Sequence, residues 1–214
     1  MNIGIIGSGN VGSTLGELWA KAGQQVMFSF SRHPERLQTL ADQIGFNATS
    51  GTPAEAANFA DVVLFAPNFW LAQEAIAQAG SLAGKIVIDA TNPYRWGENG
   101  DIVRMVSEAT SGAETIQKWM PGASLVKAYS SFQPKSLQQS VERPLEQRLA
   151  IAIASNDEAA KAIVVQLAKD SGGRPFDLGT LQNARLMEIS GVFSSGDTLT
   201  LDAALKQRQY VLGY

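Results

Sequence analysis

The chain has no cysteine and a single histidine, His33. Disulfides, thiolate nucleophiles, cysteine-ligated zinc and iron–sulfur clusters are thereby excluded, as is a metal site built from several imidazoles. Charge is also scarce. Asp, Glu, Lys and Arg make up 17% of the residues, against about 25% in ordinary globular chains. The 17 basic and 20 acidic residues leave a net charge of −3. No broad basic face is available to neutralise phosphates, which argues against a generic nucleic-acid binder and leaves room only for a local basic site. No apolar run approaches the roughly 18 residues of a membrane-spanning helix. The start, Met1-Asn2-Ile3-Gly4-Ile5-Ile6, lacks the basic stretch and cleavage site of a secretory signal and enters a strand pattern at once. A cytoplasmic location with no membrane partner is the expectation.

What is present is apolar and small. Hydrophobic residues are 45% of 214, enough for one generous domain with a core, or one domain with a short extension. Few charges and Ala-rich helical stretches predict tight packing and a homodimer. Short continuous apolar runs at 2–6, 25–30, 47–49, 62–66, 85–89 and 125–129 read as strands covered on both faces. Between them lie helix signals. Val11, Leu15, Leu18 and Trp19 share a face over 10–22, with Gly23 as a stop; Pro34 opens a helix running to 44. Thr52-Pro53 reads as a helix cap, with Glu55 taken as one residue short of capping-box spacing, and 69–79 is Ala-rich and helical. Residues 130–148 read as a polar connection or short helix. Beyond them come a strand at 149–154, a helix at 156–170, a short strand at 174–178, and helical pieces at 181–189 and 199–210. This alternation predicts a Rossmann-type α/β fold, a doubly wound and mainly parallel sheet. Residues 1–145 form the dinucleotide-binding domain in this reading, and 146–214 a C-terminal extension of the same sheet packed on it. Trp19 and Phe46 are expected in the core.

The chemistry starts at Gly7-Ser8-Gly9-Asn10-Val11-Gly12, a G-x-G-x-x-G run between a strand and a helix. Gly7 permits the tight turn, Gly9 lets backbone approach a pyrophosphate, and Gly12 lets the helix pack on the strand. The helix N-terminus then offers unpaired N–H groups to the anion. An NAD site wants Asp or Glu at the end of the second strand, to hold the ribose hydroxyls. Here that position reads Phe28-Ser29-Phe30-Ser31-Arg32-His33, with Arg36 one turn further on. Ser31, Arg32 and Arg36 suit a 2′-phosphate, so NADP(H) is the expected cofactor. The competing reading is a solvated basic face, and His33 reads as a bystander.

At this point the chain resembles the NADP oxidoreductases that use the deazaflavin coenzyme F420, a group that includes bacterial dinucleotide-binding relatives and the reductase domain of the ferric-reducing STEAP proteins. The likeness rests on the glycine run with Ser31-Arg32 and Arg36, on Ala66-Pro67, Asp89-Ala90-Thr91-Asn92-Pro93 and Val126-Lys127-Ala128. It continues in Gly173-Arg174-Pro175 with Asp177, Gly179, Leu181, Asn183 and Arg185-Leu186. The resemblance implies that Ser8, Gly9, Asn10 and Val11 line the pyrophosphate, that Ser31, Arg32 and Arg36 hold the 2′-phosphate, and that Ala66, Pro67, Asn92 and Pro93 border the nicotinamide. The sequence departs from the deazaflavin-using members at Asn68-Phe69-Trp70 and at Tyr129-Ser130-Ser131-Phe132-Gln133-Pro134. The small-molecule acceptor therefore stays open among coenzyme F420, a flavin, a quinone or another acceptor.

Hydride transfer between two rings needs stacking and dryness more than side-chain chemistry. Phe69, Trp70, Tyr94, Trp96, Tyr129 and Phe132 follow the fourth, fifth and sixth strands, where a second ring would lie; core or dimer contacts are the alternative for each. Lys127 reads as a charge at a strand edge and Asp89 as a loop hydrogen-bonder. The Tyr-x-x-x-Lys of short-chain dehydrogenases, the long second domain of β-hydroxyacid dehydrogenases and the Gly-Lys-Ser/Thr of a P-loop are all missing. A redox-sensing module that binds NADP without turnover is the non-enzyme alternative.

Overall fold

The computed structural model describes residues 1–194 and 196–213. In chain order the elements are β1 (Asn2–Ile6), α1 (Asn10–Lys21), β2 (Gln25–Ser29), α2 (Leu37–Ile44), β3 (Ala48–Ser50), α3 (Pro53–Phe59), β4 (Val62–Phe65), α4 (Ala72–Ala79) and β5 (Ile86–Asp89). There follow β6 (Tyr94–Trp96), β7 (Ile102–Arg104), α5 (Gly112–Trp119), β8 (Ser124–Ala128), α6 (Pro134–Val141), β9 (Ala150–Ser155), α7 (Glu158–Asp170), β10 (Arg174–Asp177) and α8 (Leu201–Leu212). Short 3-10 turns precede α2 and α4, and Leu181–Leu186 forms another.

Eight strands make one sheet in the order β10-β9-β8-β5-β4-β1-β2-β3. The chain begins in the middle, winds outward through β2 and β3, then returns to β4 beside β1 and winds the other way. The fold is a doubly wound, Rossmann-type α/β sheet, and β1 and β4 flank the point where the winding reverses. Every pairing is parallel except β8 with β9. The last two strands therefore extend the same sheet but run against the rest.

The apolar runs lack polar alternation because both faces of the sheet are covered. Val62 and Leu64 face one core with Ile3, Ile5, Leu15 and Trp19, while Val63 and Phe65 face the other with Ile6, Ala72 and Ile116. Neighbouring side chains on a strand point to opposite faces, so each face needs its own apolar layer. Gly4 of β1 lies under α3, where any side chain would overlap the Ala56 carbonyl. Helix α7 is tied to α1 by the Trp19 indole N–H, which donates to the Leu167 carbonyl at 2.9 Å.

Several expectations need correcting. Thr52 and Glu55 form a complete capping box: the Thr52 hydroxyl accepts from Glu55 N–H at 3.2 Å and the Glu55 carboxylate accepts from Thr52 N–H at 2.7 Å. The spacing from cap to third helical residue is therefore met. Phe46 is 58% exposed. It sits with Asn47 in left-handed backbone between α2 and β3, and that reversal turns the ring out of the core. Helix α5 and the two-stranded hairpin β6–β7 lie where no element was expected. Ser111 and Glu114 make a second capping box at the start of α5, a signal present in the sequence.

Candidate functional site

The turn after β1 is built first. Gly7 has φ of 110°, in left-handed space, and a Cβ there would stand 2.5 Å from the Ala66 carbonyl carbon and the Pro67 nitrogen. The glycine thus lets the β1 turn lie directly against the turn after β4. Gly7 N–H donates to the Ser29 carbonyl at 3.0 Å, and the Ser8 hydroxyl to the same oxygen at 2.8 Å. Ser29 is buried, and its own hydroxyl donates to the Ile5 carbonyl at 2.7 Å. The loop is therefore pinned to the end of β2. There Phe30 adopts φ of 53° and swings Ser31 and Arg32 over the same opening. Positive φ is uncommon for a bulky residue and marks a backbone held in place by its surroundings.

The opening is a cleft of about 950 Å³ at the carboxyl ends of β1 and β4. Gly7, Ser8, Gly9, Asn10 and Val11 line it, as do Ser31, Arg32, Arg36, Ala66 and Pro67. Ten of the sequence-selected residues thus meet around one cavity. Three do not line it. Gly12 is buried behind the loop, where a side chain would overlap the Gly7 carbonyl. Asn92 is a tie behind the wall: its amide donates to the Ser130 carbonyl at 2.9 Å and its carbonyl accepts from Ile189 N–H at 2.9 Å. Pro93 is buried against Gly112.

Three features decide what the cleft can hold. Gly9 has ordinary φ of −77°, and a Cβ built on it would meet no protein atom within 4 Å. Neither backbone nor packing demands glycine there, so the bare Cα leaves room for a ligand. Helix α1 has no side-chain cap at its N-terminus, and its first N–H groups face the cleft unshielded. Arg32 and Arg36 are exposed, and among the described residues no carboxylate pairs with either. The nearest ion pair joins His33 to Glu35 at 3.3 Å. The set fits a pyrophosphate at the helix end and a further phosphate at the guanidiniums. Ser31 Oγ already accepts from His33 N–H at 3.0 Å, an arrangement that leaves its hydroxyl hydrogen free to donate.

The glycines make separable predictions. Gly9→Ala should leave stability within about 0.5 kcal/mol, as surface changes do, and weaken dinucleotide binding. Gly12→Ala should instead lower the melting temperature, because its Cβ drives α1 off the β1 turn. Thermal melts and dinucleotide titration of both variants check this; a Gly9 variant that binds as wild type would remove the ligand-contact role.

The opposite wall of the cleft is formed by Asn68, Leu71, Tyr94, Gln133 and Pro134. Of the six aromatics expected there, Tyr94 alone is among the lining residues. Phe69 is buried on Trp119, and Tyr129 is buried edge-to-face against Trp19. Phe132 packs on Tyr129, and Trp70 and Trp96 point to solvent. Tyr129 has φ of 63°, which turns its side chain back beneath the sheet. Burial pushes its phenol well above the usual tyrosine range, despite the hydrogen bond with Ser171 at 3.1 Å, so it holds its proton throughout neutral pH. Lys127 is not at an edge. It is fully buried at the end of β8, 3.0 Å from Asp89, and also donates to the Thr91 carbonyl. Asp89 in turn accepts from Thr91 N–H and hydroxyl, at 2.8 and 2.7 Å, the loop role expected of it. Among the described residues no cluster of three His, Asp or Glu could hold a metal ion, and no helix is long and apolar enough to cross a membrane.

Residues 2–93 match the model of a family described as NADP oxidoreductase, coenzyme F420-dependent. Over that stretch, which is less than half of its length, the chain is similar to that family. The family match holds the glycine loop, Ser31 to Arg36 and Ala66-Pro67, and it ends before Tyr94 and Gln133. The wall of the cleft beyond β5 thus lies outside it. A candidate F420-dependent NADP reductase of Arthrobacter sp. FB24 has a similar structure, with 25% identity and a TM-score of 0.74, covering 99% of this chain and 94% of that one. A hypothetical protein of Sinorhizobium meliloti shares the fold at 24% identity and a TM-score of 0.80, with 94% of each chain covered. The metalloreductase STEAP3 of Rattus norvegicus is 27% identical over 186 residues, 87% of this chain. The chain spans only 35% of that relative's length.

Proposed function

We propose that this chain is an NADP(H)-dependent oxidoreductase that passes a hydride between the nicotinamide and a flavin-like or deazaflavin acceptor. The observation that carries the reading is the pair of guanidiniums at the end of β2, without carboxylate partners among the described residues, beside an uncapped helix and an unfilled glycine. The nicotinamide supplies the hydride when NADPH is bound. The protein's part is to bind and orient. The α1 N–H groups hold the pyrophosphate, and Ser31, Arg32 and Arg36 select the phosphorylated ribose. Ala66 and Pro67 seat the nicotinamide at the end of β4. Across the cleft, Tyr94, Leu71 and Pro134 offer apolar surface on which a second flat ring can rest, at the stacking distance of about 3–3.5 Å that transfer requires. A proton donor is not needed for the hydride itself, and Tyr129 is placed too deep to serve as one.

The test is to mix the purified protein with NADPH and, in separate reactions, coenzyme F420, FMN, FAD, menadione and ferric citrate, and to follow the loss of NADPH absorbance. Turnover with a ring acceptor, faster with NADPH than with NADH, supports the proposal. Tight NADPH binding with no turnover in any reaction would assign a dinucleotide sensor instead.

A further inference from the structure

The hairpin β6–β7 carries Tyr94 to the cleft, yet it has little of its own to hold it there. Its strands are three residues each, and Arg95, Trp96, Asp101 and Ile102 are exposed. An isolated two-stranded hairpin is marginal in water. Tyr94 pairs across the ladder with Arg104, so the two side chains leave the same face. Arg104 Nη2 donates to the Thr110 carbonyl at 3.0 Å and to Glu188 Oε2 at 3.3 Å. Glu188 is wholly buried, and its other oxygen accepts from Ala113 N–H, in the first turn of α5, at 3.2 Å. Arg104 Nε is buried with no hydrogen-bond partner among the described residues.

Replacing a buried ion pair with apolar side chains is often neutral or stabilising. What the pair supplies here is direction: a planar fork joined to a carboxylate that is itself fixed to a helix end and to the 3-10 segment next to it. We propose that Glu188 is a positioning residue that sets Tyr94 against the cleft through Arg104, and so shapes the acceptor end of the site. The inference rests on the function proposed above.

The test uses Glu188→Gln, which keeps the shape and removes the charge, and Arg104→Met, which removes the fork from a site one-fifth exposed. Amide hydrogen exchange of residues 94–104 should quicken by about tenfold in both variants, while β1 and α1 exchange as in wild type. NADPH should bind within about twofold of wild type, and KM for the best acceptor of the panel should rise by about fivefold or more. Unchanged hairpin exchange overturns the proposal, as does a looser hairpin with wild-type acceptor kinetics. A purely structural role would lower the melting temperature and leave both kinetic constants of the folded protein alone. If Glu188→Gln does not fold, Arg104→Met decides on the same readings. If wild type oxidises NADPH with no acceptor, the functional reading fails. The positioning role is then judged on hairpin exchange together with the fluorescence of bound NADPH. Emission altered at unchanged affinity supports it, and wild-type emission overturns it.

Discussion

Arg32→Ala should bind NADPH about tenfold more weakly than wild type while its affinity for NADH stays the same, and the double variant Arg32→Ala/Arg36→Ala should lose about a hundredfold. A hydrogen bond to a charged group is worth about 1.5–3 kcal/mol, which spans that range. The lower figure is assigned to the single variant because both guanidiniums are exposed and the second remains to share the phosphate. Selectivity arises because NADH carries no group for these cations to grip, and because the end of β2 has no carboxylate to hold its ribose. Screening by salt adds a signature. Raising ionic strength should weaken NADPH binding to wild type more than to the double variant. Calorimetric titration at two salt concentrations checks both statements. Equal loss for the two dinucleotides would show that the arginines are a solvated face and not a phosphate clamp.

The second large effect concerns Lys127→Met. The ammonium is fully buried between Asp89 and the Thr91 carbonyl. Removing it leaves the Asp89 carboxylate in the core with only Thr91 to satisfy it. Breaking a buried pair from one side costs about 3–5 kcal/mol. In a chain of this size each kcal/mol moves the melting point by about 2–4 °C, so calorimetry should record a fall of roughly 6–20 °C. The double variant Lys127→Met/Asp89→Leu should recover most of that loss, because it buries no unpaired charge. A single variant melting within a degree of wild type would mean that the pair is not isolated from water as the structure shows.

Much of the fold could be read from the chain. Strands β1, β2, β4, β5 and β8 fall within one residue of their expected bounds, because a strand covered on both faces writes itself as an unbroken apolar run. The glycine turn and the missing carboxylate after β2 were equally plain, since each depends on residue types at short fixed spacing. Helix α5 was overlooked because Gly112 stands at its first position and its apolar face is short, even though Ser111 and Glu114 spell out its cap. The hairpin escaped because its strands are three residues long and its five-residue connection exceeds a two-residue turn, although Asn99-Gly100 within that connection was a turn signal. The antiparallel entry of β9 was invisible, since a strand's composition does not record its direction.

The aromatics show where local reading ends. A residue placed after a strand end is known to be in a loop, but the direction of its ring depends on backbone turns such as that at Tyr129. By itself the sequence determined the α/β winding, the glycine turn before α1 and the basic residues after β2, all set by contacts between near neighbours in the chain. Tertiary structure alone decided which polar groups meet: Lys127 with Asp89 across 38 positions, Arg104 with Glu188 across 84, and Asn92 with Ile189 across 97. The reason is physical. Burying a charge or an amide is tolerable only when a partner stands within hydrogen-bond reach, and that partner is chosen by how helices pack on the sheet, a choice that no short window of residues contains.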